Sequence, residues 1–128
     1  MLAVAEENFR RASGPPVVTF RQRDIALGFD EEEADAVFLD VRDPEKHLDA
    51  TRRALRSDGF LGAVVPTTNQ VADLIEALQG SAFEAIEAEE ILVRAYKPNP
   101  RRLRPVDLMP AHTGYLVFAR ASLGKVPP

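Results

Sequence analysis

The chain has 128 residues, of which 45% are hydrophobic and 28% charged, and it carries a formal net charge of −4. This is one domain's worth of ordinary globular composition, long enough to bury a core. The absence of cysteine excludes a disulfide framework and thiolate chemistry, and no apolar run is long enough for a transmembrane span, so a cytoplasmic protein away from membranes is expected.

The first segment sets Leu2, Val4, Ala5, Phe9 and Ala12 on one face at spacings of three and four, with Glu6, Glu7 and Arg10 opposite, which predicts a helix. Its acids and arginines do not read as a signal peptide. Ser13-Gly14-Pro15-Pro16 ends that helix. Residues 17–21 (VVTFR) predict a strand from their β-branched and aromatic content, and Asp24 falls just past it. Residues 22–35 form a polar connection whose acidic run, Asp30 to Glu33, reads as a solvated turn. Ala36-Val37-Phe38-Leu39-Asp40 then reads as a strand closed by a carboxylate. Asp43 is the expected N-cap and Pro44 the first turn of a helix that runs on to Ser57-Asp58-Gly59. In open α/β sheets ligands lie outside the carboxyl ends of the strands, which makes Asp40 and Asp24 candidate site residues.

Residues 60–66 (FLGAVVP) show no polar alternation, as expected of a parallel strand covered on both faces by helices. Thr67, Thr68, Asn69 and Gln70 supply candidate N-caps for a helix whose inward stripe is Val71, Leu74, Ile75 and Leu78, ending before Gly80. Residues 83–97 alternate apolar with acidic side chains and predict a long strand. Residues 98–110 are a proline- and arginine-rich loop, and residues 113–119 (TGYLVFA) a final strand. Two successive strands imply an antiparallel hairpin on one edge of a mostly parallel sheet. The expectation is one α/β domain over residues 1–122 with a flexible tail at 123–128. Arg94, Lys97, Arg101, Arg102 and Arg104 share a window without any acid, a pattern that fits an anion-binding surface or a solvated loop. With only His47 and His112, no cysteine and no HExxH, no metal site is expected.

Three segments carry more specific information: RDIALGFDEEEADAVFLDVRDP, VVPTTNQV and RAYKPNPRRLRPVDLMPAHTGYLVFA. Through them, and through their order and spacing, the chain from Ala5 to Ala121 resembles the tRNA (adenine-N1)-methyltransferase family, particularly its archaeal-type members. The resemblance implies a Rossmann-like class I methyltransferase sheet, S-adenosylmethionine as cofactor and tRNA as substrate. It implies that Asp24 holds the adenine amine of the cofactor and that Asp40 is the active-site acid facing the target adenine. Methylating N1 turns a neutral base into a cation, and a carboxylate beside it favours that developing charge. By the same resemblance Thr68, Asn69 and Gln70 shape the base pocket, and Tyr96 stacks on a base that has left its stack. His112 and Thr113 lie near the same pocket, while Arg94, Lys97, Arg101, Arg102 and Arg104 meet phosphates. On the residues alone each has a plainer reading: strand-end aspartates as turn or cap residues, His112 as a hydrogen-bonded loop residue, Tyr96 as sheet-edge packing.

The chain also departs from the family pattern. It has no GxGxG, so the loop that cradles the methionine part of the cofactor is missing, as are the acid that holds the ribose and the N-terminal β-rich extension. Glu45 follows Pro44 where the family carries an aromatic. The resemblance therefore implies the C-terminal half of a catalytic domain, its sheet lacking the first two strands, with neither activity nor cofactor binding expected of it alone. Such a sheet is expected to be repaired by direct pairing of the 17–21 strand with the Asp40 strand, or by a homo-oligomer. The alternative from a different class is a non-catalytic RNA-binding or assembly module on the same fold.

Overall fold

The periodic first segment folds as α1 (Leu2–Arg11), held on its polar side by pairs from Glu7 to Arg10 and Arg11. The computed structural model describes residues 2–12, 18–108 and 114–123, and within them α1 buries none of its own residues. Its apolar stripe, expected to face a core, stays largely bare: Val4 is 62% exposed. Phe9 packs edge to face with Phe20, the ring centroids 5.7 Å apart.

Residues 18–24 form no strand, which corrects the expectation for 17–21; Val17 itself lies outside the described residues. Strand propensity is realised only against a neighbouring ladder, and the segment has none. It is held instead by charge. Arg21 pairs with Glu31 at 3.0 Å, and Arg23 pairs with Asp30. The hydrogen bond from Arg23 holds the Asp30 carboxyl below the usual carboxylate range. Of the exposed acidic run, Asp30 and Glu31 are therefore ion-paired, while Glu32 and Glu33 carry no ion pair among the described residues.

A four-stranded sheet follows, in the order β1-β2-β6-β3. β1 (Ala34–Leu39) and β2 (Leu55–Val65) are parallel, with Val37 opposite Leu61 and Leu39 opposite Ala63. The connection between them is a 3-10 turn (Pro44–His47) and α2 (Leu48–Ala54). α2 ends five residues before Gly59 and passes into β2 without a loop, because Leu55, already extended, caps the helix with its N–H on the Thr51 carbonyl. α3 (Thr68–Gln79) occupies the expected span. The Phe83–Lys97 strand is split in two: β3 (Phe83–Glu90) and, past an irregular stretch, the short β4 (Tyr96–Lys97), which pairs with β5 (Arg104–Pro105) as a small ribbon. β6 (Tyr115–Ala121) runs antiparallel between β2 and β3, so the hairpin expected at the edge is present with its second strand on the inside.

Alternation along the strands sorts the sheet into two faces. Leu39, Leu61, Ala63, Val65, Val117 and Ala119 point to the side covered by α2 and α3, where they form one core with Leu48, Leu74 and Leu78. Phe38, Phe60 and Phe118 point to the other side and make a row across three strands, with centroids 5.8 Å and 5.5 Å apart. Phe38 lies across the bare backbone of Gly62, where an added Cβ would stand 2.7 Å from the Phe38 ring. Over the middle ring of the row the Arg120 guanidinium sits 5.2 Å from the Phe60 centroid. Among the described residues β1 ends the sheet, so the direct pairing of its outer edge with residues 18–21 is not found.

Where β2 leaves α2, Arg52 is 2% exposed. It donates to the Leu55 carbonyl at 3.2 Å and to the Ser122 carbonyl at 2.8 Å. This clamp joins the end of α2 to the end of β6. Sequence periodicity held no sign of it, since an arginine in the last turn of a helix is normally solvated.

Candidate functional site

β1 and β2 are parallel, and β6 begins where β2 ends, with Tyr115 opposite Val65 on one side and Glu90 on the other. The carboxyl ends of β1, β2 and β3 therefore open at one end of the sheet, and the described segment 91–108 leaves from that same end.

Asp40 stands there, immediately after β1, exposed and without a hydrogen-bond or ionic partner among the described residues. Sheet geometry places it there. Asp43, expected to cap the next helix, makes no side-chain cap. It pairs with Lys46 at 2.8 Å, and that hydrogen bond keeps its carboxyl below the usual range.

The start of α3 is fixed against the same loop. Thr67 takes the cap position, its hydroxyl accepting from the Gln70 N–H at 3.3 Å and donating to Gln70 Oε1 at 2.8 Å, so one side chain both caps the helix and orients the Gln70 amide. Gln70 in turn donates to the Arg42 carbonyl at 2.9 Å. It thereby ties the loop after β1 to the helix after β2. Thr68 and Asn69, freed from capping by Thr67, are exposed beside it. Asp40, Thr68, Asn69 and Gln70 are thus brought to one edge, with Gln70 serving as the brace. At the same end of the sheet lies an open apolar groove of about 220 Å³ lined by Val64, Ile91, Gly114 and Leu116. Its walls come from three separate strand ends, so no single stretch of sequence announces it.

Asp24 is placed differently. With no strand at 18–24 it ends none; it caps a single 3-10 turn (Ile25–Leu27), accepting from the Ala26 N–H at 2.9 Å. The cavity of about 320 Å³ in this region is walled by Thr19, Arg21, Arg23 and Phe29, among others, and not by Asp24.

Tyr96 is 54% exposed on β4. Arg94, Arg101, Arg102 and Arg104 are exposed around the β4–β5 ribbon, their guanidinium groups unpaired among the described residues. Lys97 differs, since it pairs with Asp107. Asn99 folds the turn by accepting from the Arg101 N–H at 3.1 Å. His112, Thr113 and residues 124–128 of the expected tail lie outside the described residues. Among the described residues no cluster of His, Asp or Glu could hold a metal ion, and no helix is long and apolar enough to cross a membrane.

Residues 2–109 match the family described as "tRNA methyltransferase complex GCD14 subunit". The chain belongs to this tRNA methyltransferase family. Within it, the chain is 31% identical over 98 residues to the tRNA (adenine(57)-N(1)/adenine(58)-N(1))-methyltransferase TrmI of Methanocaldococcus jannaschii, covering 76% of this chain and 35% of that relative. A SAM-dependent O-methyltransferase structure from Thermotoga maritima is similar with a TM-score of 0.91 and 45% identity, over 97% of this chain and 47% of that one. The tRNA (m1A58) methyltransferase TrmI of Aquifex aeolicus gives 0.85 and 36%, over 94% and 49% respectively. The fold is accordingly the Rossmann-like class I methyltransferase sheet. The chain spans only a third to a half of the length of these relatives.

Proposed function

We propose that this chain is the C-terminal half of the catalytic domain of an S-adenosylmethionine-dependent tRNA (adenine-N1)-methyltransferase of the cytoplasm, inactive alone. The observation that carries the reading is Asp40, a carboxylate at a strand's carboxyl end that is unpaired among the described residues, in a chain whose residues 2–109 match a tRNA methyltransferase family. A carboxylate left uncommitted by its own fold is available to a substrate. Here it would orient the exocyclic amine of adenine and favour the positive charge that grows as N1 takes the methyl group. Thr68 and Asn69 supply hydrogen-bonding groups beside it, the Val64–Leu116 groove an apolar wall, and Tyr96 an exposed ring for a splayed-out base.

S-adenosylmethionine enters as the methyl donor of the complete domain. Asp24, exposed and committed only to a cap, has a second carboxylate oxygen with which to accept from the cofactor's adenine amine. No described residue supplies a glycine-rich cradle for its methionine end.

The test is a chimera in which this chain replaces the matching half of the Aquifex aeolicus enzyme. Transfer of a methyl group from S-adenosylmethionine to N1 of a tRNA adenine is expected. A folded chimera that binds the cofactor and leaves tRNA unmodified overturns the reading. That second result would favour a non-catalytic RNA-binding or assembly module, for which the unpaired arginines around the β4–β5 ribbon are the specific support.

Those arginines also give a prediction for the chimera. Arg101→Glu with Arg102→Glu should weaken tRNA binding at all sequences and flatten its salt dependence by about one unit of slope for each phosphate no longer neutralised. Titrations at several salt concentrations read both effects. An unchanged slope would remove these arginines from the RNA path.

A further inference from the structure

We propose that Gln70 is a positioning residue of the methyl-transfer site: it spends its side-chain amide on holding the loop after β1, and through that loop it sets the direction of the Asp40 carboxylate without touching the base. This rests on the role given to Asp40 above and deepens it. Gln70 receives a task other than shaping the base pocket.

Gln70 stands three residues after the cap Thr67, the place from which a glutamine ordinarily reaches back to the backbone N–H of the cap residue. Here the amide is engaged elsewhere. Its oxygen takes the Thr67 hydroxyl proton at 2.8 Å, and its NH2 group donates across to the Arg42 carbonyl at 2.9 Å. A peptide carbonyl can only accept, so the end of the amide that faces Arg42 has to be the NH2. The Thr67 hydroxyl, already accepting from the Gln70 N–H at 3.3 Å, has its one proton free for the oxygen. Each end of the amide thus has a partner within the fold, and the two partners agree on one orientation. Gln70 is accordingly half-buried, while Thr68 and Asn69 before it are exposed.

The loop it holds is short. Leu39 ends β1 opposite Ala63, Val41 packs against the core, and Pro44, which opens the next turn, is buried. Asp43 is tied locally to Lys46. Among the described residues, Gln70 supplies the side-chain hydrogen bond that reaches residues 40–43 from another element. The carbonyl it binds lies two residues past Asp40, so it fixes the peptide plane that the backbone after the carboxylate must meet. Asp40 is exposed and has no partner among the described residues to direct it. Its aim therefore comes from the backbone on either side, the ladder before it and the Gln70 brace after it. A charge favours a transition state only when it is held in place beforehand, and a misplacement of about 1 Å can cost about 10²-fold in rate.

Two measurements test this, and the first needs no activity. Nitrogen relaxation on this chain should give order parameters near about 0.85, those of rigid backbone, at Val41, Arg42 and Asp43, falling below about 0.6 in Gln70→Ala. Gln70→Glu keeps the shape and still accepts from Thr67 but sets an oxygen against the Arg42 carbonyl. It should loosen the loop in the same way, and it serves as the second variant if Gln70→Ala does not fold. Thr67→Ser, which retains the hydroxyl, should match the parent.

The second is a double-mutant cycle in the chimera with the Aquifex aeolicus enzyme. Gln70→Ala should lower kcat about 10- to 100-fold and leave KM for tRNA and for S-adenosylmethionine unchanged. In an Asp40→Asn background the same change should cost less than about twofold, because the charge that Gln70 positions is already gone. Asp73→Ala, exposed one turn further along α3, should be silent in both measurements. Unaltered order parameters in Gln70→Ala would overturn the brace. A raised KM for tRNA with kcat kept would mark a base contact instead, and a full multiplicative loss in the Asp40→Asn background would show that Gln70 does not act through Asp40; either result sinks the proposal. The functional reading fails separately: a folded chimera that never methylates tRNA removes the catalytic task of both residues, while relaxation still decides whether Gln70 holds the loop.

Discussion

Asp40→Asn in the chimera with the Aquifex aeolicus enzyme should lower the rate of methyl transfer by about 10²- to 10³-fold, the usual loss when one preorganised electrostatic partner of a transition state is removed. Asparagine keeps the shape and much of the hydrogen bonding of aspartate and discards the charge. The affected quantity should therefore be kcat, with S-adenosylmethionine affinity unchanged. The variant should also melt with the parent, because Asp40 is exposed and holds no other described group. A structural aspartate would behave in the opposite way, losing stability and sparing the rate. Single-turnover transfer to tRNA, measured beside a melting curve, separates the two; equal rates for parent and variant would remove Asp40 from the chemistry.

The second large effect is on stability. Arg52→Ala should cost about 3 kcal/mol, since it leaves two buried carbonyls without donors at roughly 1–3 kcal/mol each and also removes a packed aliphatic stem. The carbonyls are those of Leu55 and Ser122. For a domain of this size that corresponds to a fall in melting temperature on the order of 15 °C. Arg53→Ala, one position along on the exposed side of α2, should fall within about 0.5 kcal/mol of the parent, as surface changes do. Arg52→Met would restore the stem without the donors and so divide packing from hydrogen bonding. If Arg52→Ala and Arg53→Ala melt together, the clamp contributes nothing.

The residues that announced themselves in the sequence were those governed by local rules. The stripe Val71, Leu74, Ile75 and Leu78 placed α3, and the unbroken apolar run at 60–66 placed β2 beside a parallel neighbour. Asp40 at the end of its strand was legible from position alone. What could not be read depended on partners distant in the chain. Residues 17–21 have the composition of a strand, yet the described ones, from Val18 on, find no ladder to join. α2 stops at Ala54 because Leu55 is already paired with Ala34, a pairing that helix periodicity cannot see. Asp24 changed meaning for the same reason: without the strand before it, it becomes a cap. The groove at Val64, Ile91, Gly114 and Leu116 exists only once β6 has threaded between β2 and β3.

That threading has a consequence for how the protein is made. Among the described residues β3 pairs only with β6, and the inner edge of β2 does the same, so during synthesis two strand edges wait for residues 115–121 to emerge. Until then a nascent chain displays the unbroken apolar β2 with its inner edge open, the kind of edge that associates with other chains. β3, which has no other strand to pair with in the meantime, carries Glu84, Glu87 and Glu89. Acids that contribute little to a finished sheet keep an unfinished one from sticking to its neighbours on the polysome.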